Sequence, residues 1–415
     1  MTTSVAPPIA PADRFPGGRV VTGCFIVLTV SAGLSFYGLA VYLNAFSKEK
    51  GWSLASISLA TTVFFVVGGV VGVAVARVIA RRDVRAVIVG GALLGGAALA
   101  ALGYVEERWQ LYAVYTVFAV GFAAAGLIPV TTVVTRWYHV RRSVALSVAS
   151  TGLSVGGIVL TPFAKWLIDD RGLRSATPIL AVIWVVGIVP ATLWLIRPEP
   201  AALGWRPDGE RVVADTPAYA PSGMSFDEAV RTRFYRSVTA GYMLMLGAQV
   251  GGIQQLVKLV EERTDARTAT YATIALAATS VLARLLGGRV VATVPMARFT
   301  VTLGAVQALS LVGLALASST VPIFVAILVF GATVGNILML QPLLLAERFG
   351  VLDYPRIYSR SQFVTMFGTA GGPLLLGWLY DLAGGYRVSY LVAAVCSISG
   401  ALVMSAGGPA TVRES

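Results

Sequence analysis

Charge is scarce in this 415-residue sequence. Asp, Glu, Lys and Arg together make up 13% of it, about half the share of an ordinary soluble protein. With 56% hydrophobic residues, the chain has too little polar surface to cover a core of its own. That excludes a soluble globular enzyme, a disordered tail and a collagen-like fibre. Histidine occurs once, at His139, and cysteine twice, at Cys24 and Cys396. They form no His/Cys cluster for zinc and no disulfide framework. Both cysteines lie in apolar runs and are expected to be free, buried thiols. No cofactor is expected. Nor is a signal peptide apparent, because residues 1–18 are polar and Pro-rich and the first apolar run is too long for an h-region.

Long apolar runs take the place of what is missing. Twelve segments have the roughly 20 residues that an α-helix needs to cross a bilayer core. They are 19–45, 54–80, 84–104, 110–135, 142–167, 175–196, 235–257, 267–291, 297–317, 321–347, 356–380 and 386–407. In lipid each backbone N–H and C=O must be satisfied within the span, so helices are predicted. A transmembrane β-barrel requires shorter, strictly alternating segments, which the sequence lacks. One gap differs from the rest: residues 197–234 are polar and Pro-rich. Within it, Ser225 and Glu228 stand at capping-box spacing ahead of a short amphipathic helix.

The chain divides into a tail at 1–18, six spans over 19–196, the linker 197–234, six spans over 235–407, and a tail at 408–415. An integral, all-α membrane protein with two pseudo-symmetric six-helix bundles is predicted. If both termini and the linker are cytoplasmic, Lys and Arg lie on that side about twice as often as on the other, the bias expected of a cell-membrane protein. This placement accounts for the net charge of +12 without nucleic acid. An internal repeat supports the division. A shift of 212 residues brings Arg77 onto Arg289, Arg136 onto Arg348, Gly156 onto Gly368, and Trp166, Leu167 and Asp169 onto Trp378, Leu379 and Asp381. Parallel halves of six spans, with a site between them near mid-membrane, are an arrangement that transporters use.

These features resemble the major facilitator superfamily. After span two, GVAVARVIARRDVR is similar to that superfamily's basic loop motif through Gly72 and Arg77, with Ala76 and Ile79 where an acid and a glycine are usual. Within the superfamily the chain resembles the monocarboxylate transporters and the bacterial oxalate/formate antiporters. Gly51, Trp52 and Ser53 carry that likeness after span one. Trp137, Tyr138, Arg141, Arg142, Ala145, Gly152 and Gly156 carry it in RWYHVRRSVALSVASTGLSVGG. GWRPDG with DEAVRTRFY, SVLARLLGG, and GTAGGPLLLGWLYDLAGGY complete it. The resemblance implies a carrier of small organic anions that works by alternating access. The chain departs from it in two ways. Span one, SFYGLAVYLN, lacks the lysine of the mammalian members. Ser280 stands where those members place an acid four residues before the span-eight arginine.

That arginine is Arg284, inside ATSVLARLLGG with no acid in its span. A charge at this depth costs at least about 2.5–3.5 kcal/mol to insert, so it faces a cavity or a partner unless it snorkels to the nearby interface. A guanidinium offers a planar fork that fits a carboxylate. None of the 20 acidic residues lies mid-span, Glu347 and Asp381 coming nearest. Cation carriers and proton-coupled drug antiporters normally need such an acid, so its absence favours an anionic substrate, with or without a proton travelling on it. Tyr37, Asn44, Gln249, Ser280, Asn336, Gln341 and Arg360 are further candidates for binding it. Each also has a bland reading: interfacial anchoring for Tyr37, interhelical hydrogen bonding for the amides, and the positive-inside bias for Arg360. Gly152, Gly156, Gly371, Gly372 and Pro373 are expected to serve close packing and movement, with the last three interrupting span eleven. Gly72, Arg77, Arg141 and Arg142 are expected at the moving interface. Efflux of neutral or cationic hydrophobic compounds, or sensing of small acids without transport, are the alternatives. A monomer in the bilayer is expected.

Overall fold

The computed structural model describes residues 15–52, 54–210, 222–291 and 293–408. Among these residues, eleven helical stretches are long and apolar enough to cross a membrane. The longest, Arg142–Leu195, has 54 residues, about 81 Å if straight, against a hydrocarbon core of about 30 Å. It is two helices joined at Gly172, whose backbone takes φ 74°, ψ 165°, a left-handed φ that costs glycine nothing. The first free N–H after this break, at Leu173, is capped by the Glu49 carboxylate at 2.9 Å.

Counted this way there are twelve: α1 Gly17–Lys50, α2 Leu54–Ile79, α3 Val84–Leu102, α4 Arg108–Trp137, α5 142–171 and α6 173–195, α7 Arg233–Arg263, α8 Ala266–Val290, α9 Met296–Leu316, α10 Thr320–Phe349, α11 Tyr354–Ala383 and α12 Tyr386–Ser405. The loops start helices in the usual polar ways: Asp83, Thr232 and Asp265 each accept a backbone N–H of the first turn, and Glu107 with Gln110 forms a capping box. Apolar side chains face outward as well as inward. Leu93, Val182, Leu309 and Leu402 are each more than half exposed, which suits a lipid solvent and not water. Cys24 is buried, Cys396 is half-buried, and both are free.

The two halves repeat each other in space. In the first, α5 packs on α1: a Cβ on Gly156 would run into the Thr29 carbonyl, and one on Gly152 into that of Phe25. In the second, α11 packs on α7 in the same way, Gly368 against the Met243 carbonyl and Gly372 against that of Gly247. The halves meet mainly through two pairs, α2 with α11 and α5 with α8. Residues of both halves share one apolar core at the end where the linker lies. At the other end the core of the second half is separate, with no member from the first. The halves are therefore packed together at the linker end. Span eleven differs from expectation, since α11 is unbroken through Gly371, Gly372 and Pro373. A proline forfeits one helical hydrogen bond, and a membrane helix tolerates that where its neighbours are helices.

The linker ties to both halves. On the first half, the Trp137 indole N–H donates to the Arg197 carbonyl at 2.8 Å. The Asp208 carboxylate accepts the backbone N–H groups of His139, Val140 and Arg141 at 2.9, 2.8 and 3.1 Å. On the second half, Gly223 bridges Gly350 and the Phe226 N–H donates to Asp353 at 2.9 Å. The linker helix Phe226–Arg231 begins with the Ser225–Glu228 capping box. Substitution of Asp208 by alanine leaves three N–H groups without their acceptor. We expect apparent stability to fall by about 1–2 kcal/mol, read as a lowered thermal midpoint of the purified protein. An unchanged midpoint means that the 139–141 loop is held by its other contacts.

Candidate functional site

The element nearest mid-chain in α1 is not α-helical. Residues Ala32–Phe36 form a π-turn, in which the Tyr37 N–H reaches the Ala32 carbonyl at 3.0 Å. Bonding of this type strands carbonyls, and side chains take them up: Tyr42 donates to Leu34 at 2.8 Å and Thr161 to Gly33 at 2.9 Å. Such turns recur at functional sites. Here the turn directs Phe36 and Tyr37 into a cavity between the two halves.

The cavity has a volume of about 160 Å³, close to the roughly 150 Å³ that accommodates a benzene-sized molecule. Its walls divide by half. The first half contributes Phe36, Phe64, Phe65 and Phe122 with smaller apolar residues, and Tyr37 as its polar group. The second contributes Arg284, Gln249, Gln362 and Thr369 among apolar neighbours. Arg284 is 3% exposed, so it is not a snorkelling residue. Its Nε donates to the Gly335 carbonyl of α10 at 2.7 Å, and its Nη1 to the Ser150 carbonyl of α5 at 2.5 Å. The first bond exists because α10 comes very close: a Cβ on Gly335 would overlap the Ser280 carbonyl. The second crosses between the halves, as does Ser147 Oγ donating to the Arg284 carbonyl at 2.5 Å.

Two of the five guanidinium N–H groups are thus engaged. Among the described residues no carboxylate forms an ion pair with Arg284. Tyr37 lies within electrostatic reach of it. The amide oxygen of Gln249 is buried without a hydrogen-bond partner, and so is that of Gln362.

The other candidates lie elsewhere. Asn336 turns towards α8, where its Nδ2 donates to the Ala283 carbonyl at 2.9 Å and its head sits over Gly287; the same Nδ2 also donates to the Ala332 carbonyl of its own helix at 2.9 Å. Gln341 is fully buried and donates to Ser361 Oγ at 3.0 Å, tying α10 to α11. Ser280 is buried against α10. None of these three lines the cavity. The side chain of Asn44 lies outside the described residues. Arg360 lines a second cavity at the linker end, together with Arg77. Gly72 packs against Ile128 of α4. Arg142 is buried, donates to the Tyr138 carbonyl at 3.0 Å, and attracts Glu347 across the halves. Arg141 contributes its backbone N–H to Asp208. Sequence reasoning missed Gln362 and the phenylalanine wall. The signal for Gln362 was a lone amide in an apolar helix; for the phenylalanines there was none, because they look like core residues.

Comparison with known proteins agrees with this architecture. A family model described as Major Facilitator Superfamily matches residues 24–351. Monocarboxylate transporter 13 of Rattus norvegicus is 22% identical over 410 residues, covering 95% of this chain and 89% of its own. Monocarboxylate transporter 11 of Mus musculus is 23% identical over 418 residues, covering 95% and 88%. Among solved structures, the E. coli fucose:proton symporter FucP superposes with TM-score 0.73 at 16% identity, covering 95% of this chain and 98% of that one. The human organic anion transporter MFSD10 (TETRAN) gives 0.71 at 14%, covering 94% and 100%. The matched model spans most of the chain and the twelve-helix fold is shared, so the protein belongs to the major facilitator superfamily of membrane transporters.

Proposed function

We propose that the protein is a secondary transporter of small organic anions, monocarboxylates in character, moved by alternating access. The observation that carries this reading is Arg284: a buried guanidinium that no described acid ion-pairs, on the wall of a small cavity between the halves. A carboxylate there pairs with the N–H groups that the Gly335 and Ser150 carbonyls leave free, while Gln249 and Gln362 lie on the same side. The substrate's apolar body rests on the phenylalanines of the first half. A cation is disfavoured because the cavity already holds an uncompensated positive charge. The relatives named as monocarboxylate transporters support the same substrate class.

Binding and movement share one group. The Arg284–Ser150 bond links α8 to α5, helices that must shift when the halves rock. A substrate carboxylate competes for the same guanidinium and loosens that link. With the linker on the cytoplasmic side of the cell membrane, the arrangement described is the one closed to the cytoplasm.

Reconstituted liposomes test the reading. We expect uptake of lactate- to benzoate-sized monocarboxylates and none of comparable amines. If a proton accompanies the substrate, uptake rises as external pH falls towards the substrate's own pKa, since none of the described residues lining the cavity is a carboxylate. Absence of flux or of ligand stabilisation for every acid tried defeats the proposal.

A further inference from the structure

A second cavity of about 460 Å³ lies at the linker end. Three arginines converge on it from both halves: Arg77 from the last turn of α2, and Arg356 and Arg360 from the first turns of α11. Arg77 and Arg360 are exposed and neither forms an ion pair with a described acid. Arg356 lies 3.7 Å from Asp353 and 4.7 Å over the ring of Phe226 in the linker helix. That same Asp353 oxygen accepts the Phe226 N–H. Asp353, the one described carboxylate that pairs with any of the three, is already engaged. The positive-inside bias explains which side of the membrane the arginines occupy. It does not explain why helices from different halves aim them at one cavity.

We infer that this cavity binds a phosphate-bearing anion, from a phospholipid headgroup or from solution, and that the anion holds α2 and α11 together. Guanidinium forks match phosphate oxygens, several of which can be engaged at once. Val73, Val230 and Val364 offer an apolar rim for the carbon skeleton of a headgroup. α2 and α11 belong to different halves and meet where Gly69 faces Phe363 and Met366. The three-arginine arrangement therefore exists when the linker end is closed. A ligand that binds only this arrangement shifts the population towards it. None of this involves Arg284, so it stands or falls apart from the substrate reading.

The test uses the full-length protein in neutral detergent, with thermal stability as the readout. One arm titrates short-chain phosphatidylglycerol against phosphatidylcholine. The other titrates sodium phosphate against sodium chloride at equal ionic strength. Wild type is compared with the R77Q/R360Q and R77K/R360K double variants. In wild type the midpoint is expected to rise in at least one arm, with apparent affinity about tenfold weaker in R77Q/R360Q and intermediate in R77K/R360K, which keeps the charge and loses the forks. A response in the lipid arm alone identifies a headgroup, and one in the phosphate arm alone a soluble ligand. No rise in either arm, or an equal rise in wild type and variants, overturns the inference. Should R77Q/R360Q fail to fold, a lysine variant equal to wild type overturns it.

Discussion

Replacement of Arg284 by glutamine is expected to lower uptake of any anion that the wild type carries by roughly 10²- to 10³-fold. Removing one partner of a buried charge pair costs about 3–5 kcal/mol, because the remaining charge stays desolvated, and each 1.4 kcal/mol is a factor of ten. Here the charge left behind belongs to the substrate, so the loss appears in transport. R284K retains the positive charge and loses the planar fork that reaches Gly335 and Ser150 while leaving N–H groups for a ligand. Its transport is expected to be intermediate. A structural role alone would lower thermal stability and spare substrate selectivity. Stabilisation by substrate, measured on purified variants, separates the two: it vanishes in R284Q if the guanidinium is the binding group. Wild-type flux in R284Q would remove the substrate reading and leave the fold intact.

The second large effect concerns three glycines of similar appearance. G156A and G368A are expected to destabilise the protein by about 1–3 kcal/mol or more, whereas G371A is expected to be neutral or slightly stabilising. A methyl on Gly156 meets the Thr29 carbonyl, and one on Gly368 meets that of Met243. Both obstacles are backbone on a neighbouring helix, which cannot rotate aside. A methyl on Gly371 meets nothing within 4 Å, and alanine is preferred over glycine inside a helix by roughly 0.5–1 kcal/mol. Thermal unfolding of the three variants checks the order. If G371A is as damaging as G368A, the α7–α11 contact has been assigned to the wrong face of α11.

Helix existence was written in the apolar runs, since a bilayer admits few structures other than helices. Span ends were less legible. α1, α7, α10 and α11 each run 30 residues or more, and hydrophobicity stops marking a helix once it leaves the lipid. The boundary at Gly172 was visible as a polar DDRGLR break. Its geometry, two helices joined by one left-handed glycine, was not. Arg284 stood out because a charge inside an apolar run has few explanations. Asn336 and Gln341 stood out for the same reason, yet both hydrogen-bond to neighbouring helices and neither lines the cavity. An amide in lipid needs a partner whether or not a ligand is present, so residue type alone does not distinguish the two roles. The reverse error hid Phe36, Phe64, Phe65 and Phe122, which differ from core phenylalanines only in facing a space.

The linear chain carried the information that depends on solvent: twelve apolar segments, a polar linker, a one-sided basic bias and a deep arginine without an acid. Each follows from the cost of placing polar atoms in hydrocarbon, a cost paid residue by residue. The division of the cavity into an aromatic wall and a hydrogen-bonding wall, the sharing of Arg284 between α10 and α5, and the meeting of Arg77 with Arg356 and Arg360 depend on which helix faces come together. Those arrangements bring together residues as far apart as Phe36 and Thr369, and their geometry is set by glycine-mediated helix approach in three dimensions.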